Sequence, residues 1–253
     1  MRIFLKTEDE IILLRAASQL ATRALIEVGR HVVPRLALSH LRNKVVNAVM
    51  RTAPTESNSG KEAPSSDTEF TFFVNGAYIE PSLEGECMLC EGDWLTVNCW
   101  VCLDGYYSFG AHTFIVGSSQ DDEPLTSTLR DMLRQVVRRA SAGHSIKEMS
   151  RTVYSLHSHD PYVLQKTFGH GVGRNRVENP ILRMNPGVND TVLLKEGMCL
   201  VIALAFKHGR SHFIKPRLMH ESTFHNPFVP FGTTVVVRPG RPEILTSFET
   251  IVK

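Results

Sequence analysis

Two groups of side chains in this sequence are of types and spacings that do chemistry. Cys87 and Cys90 form one C-x-x-C pair, and Cys99 and Cys102 form a second, which is the ligand spacing of a tetrahedral zinc site. The second pair lies inside the alternating run WLTVNCWVCL, where residues three apart point to opposite faces of a strand. Both pairs close on one ion only through tight turns, so the pattern favours buried or half-buried thiols. Five cysteines, an odd number, also fit a reducing compartment better than a disulfide framework. The other group is basic. Lys207, His208, Arg210, His212, Lys215 and Arg217 fall in one predicted loop, and Arg130, Arg134, Arg138 and Arg139 recur along one predicted helix. The helix series reads as a solvated face, and the loop is the candidate for contact with phosphate or RNA. Lys and Arg number 28 against 26 Asp and Glu, a net charge of +2, so the chain is no general nucleic-acid binder and any such contact is local.

The elements that must position these residues follow from periodicity. From Thr7 to Val28 apolar residues recur at helical spacing, and Thr7 is followed three residues on by Glu10, the pattern of a capping box. A second helix is expected after Pro34, through Leu38, Leu41, Val45 and Val49. The stretch TAPTESNSGKEAPSSDT, Thr52 to Thr68, is nearly free of apolar residues and reads as a flexible surface insertion. Strand-like runs follow: FTFFVN, then WLTVNCWVCL and YYSFGAHTFIVG, joined by Asp104-Gly105, a strong hairpin signal. Helices are expected over Leu125–Ala140 and Ser145–Leu156, then strands over Cys199–Phe206, Thr233–Arg238 and Ile244–Val252. Two helices then strands, twice over, suggest two similar halves sharing one antiparallel sheet, an α+β architecture. At 253 residues, with 42% hydrophobic and 21% charged, the chain is neither disordered nor fibrous. No apolar run approaches the roughly 18 residues of a membrane span, and no targeting segment is evident. The expectation is one intracellular domain over residues 1–253, cytoplasmic or mitochondrial, with no membrane partner.

Against this background five segments carry a resemblance. The opening IFLKTEDEIILLRAASQLA, the hairpin EGDWLTVNCWVCLDGYYSFGAHTFIVG, the Gly-rich FGHGVGRNRVENP, the strand LLKEGMCLVIALAF and the hairpin PFGTTVVVRPGRPEILT together resemble the methionine aminopeptidases. The resemblance implies the pita-bread (creatinase/aminopeptidase) fold, two pseudo-symmetric halves with helices packed on a curved antiparallel sheet. It also implies a site in which two Asp, one His and two Glu hold two divalent metals. Carried over residue by residue, the two Asp fall on Asn98 and Phe109, the His on His170, and the two Glu on Ala203 and Gly232. A second His of the family falls on Val177, a substrate-side His on Tyr78, and an aromatic residue of the methionine pocket on Arg176.

Four of five metal positions are thus replaced, and one imidazole with a neutral amide cannot compensate two cations. The expectation is therefore no metal, no cofactor, and no enzyme: a methionine aminopeptidase-like pseudoenzyme serving as a protein- or RNA-binding scaffold in a larger assembly. The resemblance extends this to a ribosome-related or ribosome-assembly complex, with a ribosomal particle or rRNA as partner. Its binding residues would be Lys207, Arg210, His212, Lys215 and Arg217 with Arg174 and Arg176. Two alternatives stay open: a metal-independent enzyme in which His170 works with Tyr107, His112 or Glu178 as creatinase does, and a non-cleaving reader of peptide N-termini.

Overall fold

The computed structural model describes residues 2–52, 67–117, 124–157, 163–164, 167–185, 192–207 and 228–247. Helix α1 spans Glu8–His31 and is capped as its sequence predicts: Glu10 N donates to Thr7 Oγ1 at 3.3 Å and Thr7 N to Glu10 Oε2 at 2.9 Å. Its buried stripe includes Ile11, Leu14, Ala17, Ala21, Leu25 and Val28. Helix α2 spans Leu38–Thr52; ahead of it Ala37 is held in an isolated bridge with Met88 and Arg35 N donates to Leu89 O. Thr52 ends this helix, and Asp67 and Thr68 lead into the first strand. The rest of the expected insertion lies outside the described residues.

Strands β1 (Glu69–Val74), β2 (Ala77–Ile79), β3 (Trp94–Leu103) and β4 (Tyr106–Ile115) form one half of the sheet. Between β3 and β4 the turn is Asp104-Gly105, with φ of 50° and 75°, the positive-φ pair of the hairpin turn that matches strand twist. Helices α3 (Pro124–Arg138) and α4 (Ile146–His157) precede β5 (Val163–Leu164), β6 (Thr167–Gly171), β7 (Glu178–Arg183), β8 (Cys199–Lys207), β9 (Phe228–Val236) and β10 (Glu243–Ile244). All ten strands are antiparallel in one sheet of order β2-β1-β3-β4-β9-β8-β6-β7, with β10 on β9 and β5 on β8. Helix α1 packs on β3 and β4, α3 on β8 and β9, and α4 on β7. The α+β architecture read from the sequence is the one observed.

Two expectations need correction. The strand expected over Ile244–Val252 is only β10. Leu245 N and Thr246 N both donate to Thr234 O, at 2.8 and 3.2 Å, which ends the ladder, and residues 248–253 lie outside the described set. The arginines of α3 do not share one solvated face. Arg130 is buried, since it precedes Leu133 and Val137 by three and seven residues and so shares their inward side. Arg134 pairs with Asp131 at 2.6 Å. Cys87, Cys99 and Cys102 are buried and Cys90 is exposed, all as free thiols. Among the described residues no helix is long and apolar enough to cross a membrane.

The two halves meet where β4 lies beside β9, and their ladder there is a single pair, Ala111 opposite Gly232. Hydroxyl groups take over where ladder bonds are lacking. Thr234 Oγ1 accepts from Phe109 N and donates to Phe109 O, both at 2.9 Å, and Thr246 Oγ1 donates to Phe109 O at 2.9 Å. Ser18 and Ser108 Oγ lie 2.6 Å apart and extend this buried network to α1. Replacing Thr234 by isosteric Val strands the Phe109 N–H in the core, and an unsatisfied buried donor costs about 1–3 kcal/mol. Denaturant unfolding of Thr234→Val is expected to show a loss of that size, with Thr234→Ser close to wild type; equal stability of Val and wild type would show that the clamp contributes nothing.

Candidate functional site

On the sheet face away from α1, the register gathers five positions that the sequence singled out. Trp100 stands opposite Phe109 and Asn98 opposite Ala111, Ala203 opposite Gly232, and His170 opposite Val201. Side chains two apart on a strand share a face, so Asn98 and Trp100 lie on the same side, as do Phe109 and Ala111. Trp100 is the centre of the cluster. Its ring is 4.8 Å from that of Phe109 and 6.1 Å from His170, nearly parallel to the imidazole at 10°.

The floor of the cluster is apolar. A Cβ added at Gly232 would lie 2.7 Å from Phe109 Cε1 and 3.1 Å from the Ala203 Cβ, so the Phe109 ring already fills the space above both. Asn98 Oδ1 is buried without a hydrogen-bond partner. Two divalent cations demand several anionic oxygens, and these five residues offer one imidazole and one neutral amide. Among the described residues no three His, Cys, Asp or Glu side chains are grouped so as to hold a metal ion. The residues gathered here do not fit a two-metal centre.

His170 is held in one state. Its Nδ1 is 2.9 Å from the Gly171 carbonyl, which can only accept, so Nδ1 carries the proton and Nε2 the lone pair. Burial lowers its pKa from 6.5, with the Gly171 carbonyl opposing, and the ring is neutral at physiological pH. Glycine at 169 and 171 is required by close approach, since a Cβ would meet Val201 O at the first and Asn179 O at the second. Beneath the turn that follows, Lys6 Nζ donates to Glu178 Oε2 at 2.7 Å, with both side chains 4% exposed. Glu178 Oε1 also accepts from Asn175 N at 3.1 Å.

The rim carries alternating charge on aromatic rings. Arg176 lies 5.7 Å from the Trp100 ring and 5.6 Å from Tyr107. It donates to Glu69 Oε2 and to the Asp67 carbonyl, each at 2.6 Å. Tyr107 donates to Asp67 Oδ2 at 2.9 Å, and that bond first, then burial, pushes its pKa up to about 12. Arg174 lies 4.6 Å over Tyr106, whose hydroxyl donates to Glu10 Oε1 at 2.6 Å. That bond leads the lowering of the Glu10 pKa.

Other residues expected near the site lie elsewhere. His112 is fully buried between Phe114 and Phe231, at 4.6 and 4.7 Å. With Glu178 engaged by Lys6 and Tyr107 by Asp67, none of the three residues proposed to work with His170 is bonded to it. Tyr78 sits on β2 against Phe73 and lines a separate cavity of about 390 Å³ with Arg42, Val46 and Phe70. Val177 is 59% exposed. Lys207 ends β8, while His208, Arg210, His212, Lys215 and Arg217 lie outside the described residues, and with them the expected RNA contact. Sequence reasoning missed Trp100, Glu69 and Asp67. The signal for Trp100 was present: two residues from Asn98 in an alternating strand, it had to share its face.

The description Metallopeptidase family M24 matches residues 12–238. The chain is 26% identical over 249 residues to a methionine aminopeptidase of Clostridium perfringens, covering 96% of this chain and 98% of that one. To the methionine aminopeptidase of Helicobacter pylori strain 26695 it is 29% identical over 220 residues, 83% and 85% of the two chains. Among solved structures, the methionine aminopeptidase from Rickettsia prowazekii superposes with a TM-score of 0.76 at 20% identity, over 97% of this chain and all of that one. Prolidase from Pyrococcus furiosus gives 0.71 at 20%, over 97% of this chain and 66% of that one. The fold is the pita-bread fold. These relatives also overturn the expectation that the chain is no enzyme: the proteins it matches over most or nearly all of its length are named as aminopeptidases.

Two expected outcomes test the geometry. Gly232→Ala overpacks against Phe109 and is expected to cost about 1–3 kcal/mol in denaturant unfolding. Phe109→Ala should make the second change nearly free, so additive effects in the double variant would contradict the contact. For His170 the folded pKa lies below the unfolded value of about 6.5. Its contribution to stability is therefore fully present above that pH and is lost as the pH falls through the folded pKa. Between about pH 7 and pH 5 the wild type is expected to lose more thermal stability than His170→Gln; parallel losses would show that His170 is not desolvated.

Proposed function

We propose a function from one premise: the chain belongs to metallopeptidase family M24. It acts on the N-terminal end of polypeptides, as the methionine aminopeptidases it resembles do by name. The reaction takes place on the sheet face around Trp100, with His170 as the group that moves protons. The observation that carries this reading is the state of His170. It is neutral, its Nδ1 proton is committed to the Gly171 carbonyl, and its ring lies flat beside Trp100. Nε2 is thereby the atom able to take a proton from water as the water attacks the first peptide carbonyl. The same atom can then return that proton to the departing amine.

Because the gathered residues do not fit two metal ions, no step is assigned to them. Acid–base work by one side chain contributes roughly 10²–10⁴-fold, well short of the largest enzymatic accelerations, so turnover is expected to be slow. The test is release of methionine from a Met-Ala-Ser peptide, followed by mass spectrometry with and without EDTA. Release is expected to survive chelation and to fall about 10²-fold or more in His170→Ala. Loss of activity on chelation, or no release by the wild type, would overturn the reading.

A further inference from the structure

We infer that Arg174 and Arg176 make the rim of the Trp100 cluster a reader of carboxylates, selecting polypeptides with Asp or Glu close behind the N-terminal residue. This deepens the N-terminal reading above and rests on it. The two guanidinium groups sit four and six residues beyond His170, and each lies over an aromatic face: Arg174 on Tyr106 at 4.6 Å, Arg176 on Trp100 at 5.7 Å and Tyr107 at 5.6 Å. A ring face attracts the guanidinium cation, and the planar fork of donors on that group matches a carboxylate.

The carboxylates now at these edges come from the chain itself. Glu69 Oε2 is 2.6 Å from Arg176 Nη1, and Glu10 Oε1 is 3.9 Å from Arg174 Nε. The side chains of Arg176 and Glu69 are 36% and 53% exposed, and a pair so open to water contributes little to stability. Arg176, by contrast, keeps its place through Trp100, Tyr107 and the Asp67 carbonyl. A ligand carboxylate can therefore replace that of Glu69 while the arginine stays where it is. Glu69 stands in for the ligand in the free protein.

Distance sets the position read. The Arg176 guanidinium and the His170 ring lie 5.7 and 6.1 Å from the Trp100 ring. They are thus no more than about 12 Å apart, some three residues of extended chain. An acidic side chain at the second to fourth residue of a peptide whose first bond lies at His170 reaches the rim. A nucleic acid suits the rim poorly, because Asp67, Glu69 and Glu10 are interleaved with the arginines and repel a run of phosphates. One carboxylate exchanging for another keeps the charge balanced.

The test is fluorescence anisotropy with three C-terminally labelled peptides, Met-Ala-Glu-Ser-Gly, Met-Ala-Gln-Ser-Gly and Met-Ala-Lys-Ser-Gly, and with labelled oligouridine. The Glu peptide is expected to bind about tenfold tighter than the Gln peptide. Glu69→Gln should tighten the Glu peptide further by removing the internal competitor. Arg176→Glu should reverse the order in favour of the Lys peptide, with unchanged circular dichroism showing that the fold is intact. Equal affinity for the three peptides would overturn the carboxylate reading and leave the N-terminal reading standing. Failure of all three to bind would overturn both, and preference for oligouridine over the peptides would overturn the proposed ligand.

Discussion

The molecule depends on one narrow seam. Its sheet is continuous only because β4 and β9 touch at Ala111 and Gly232, a single ladder pair. Elsewhere along the joint, the backbone of Phe109 is satisfied by the hydroxyls of Thr234 and Thr246. Buried backbone groups must find partners, and here side chains supply what the ladder does not. The seam also fixes what can stand on the sheet surface. With β4 and β9 so close, Gly232 leaves room for the Phe109 ring, and the ring in turn braces Trp100.

The site and the joint are therefore the same place. Residues that close the sheet, Phe109, Ala111, Ala203 and Gly232, also form the floor of the Trp100 cluster, and all are apolar. Polarity enters from the flanks. His170 is delivered by β6, whose glycines let its backbone press against β8 and the Asn179 carbonyl. Lys6 and Glu178 then pin the following turn to the start of the chain, where Lys6 N donates to Gly197 O at 2.8 Å. Removing one member of such a buried pair typically costs about 3–5 kcal/mol, because the other charge is left bare. The pair is thus a strong constraint on where the Gly-rich turn, and Arg174 and Arg176 with it, can sit.

Local chemistry made much of this legible in the sequence. The Thr7–Glu10 box, the stripe of α1 and the Asp104-Gly105 turn each act over a few residues, and all three formed as read. The five positions that the family segments singled out, Asn98, Phe109, His170, Ala203 and Gly232, come together on one face of the sheet. What the sequence hid depends on partners far along the chain. Lys6 and Glu178 are 172 positions apart, and Arg176 and Glu69 are 107 apart. Neither pairing has a local signature. Arg130 looked solvated because its neighbours in the series are, yet its own phase on α3 turns it inward. The inference from lost ligands to lost enzyme failed for a different reason: it treated a missing metal set as the whole of the site.

The character of the site follows from how burial and charge divide between the Trp100 cluster and its rim. Below the rim, desolvation keeps His170 uncharged, so the imidazole can accept a proton at neutral pH but contributes no positive charge to hold an anion. On the rim, arginine stays charged whatever its surroundings, and rings beneath Arg174 and Arg176 hold both cations at the water boundary. Proton transfer and anion recognition are thereby assigned to different residues at different depths. On the proposed reading, a polypeptide leaves its side-chain charges at the rim and presents its first peptide bond to a neutral base. Trp100 touches both layers, through His170 and through Arg176, so a movement of Arg176 bears on the ring that sets the environment of the base.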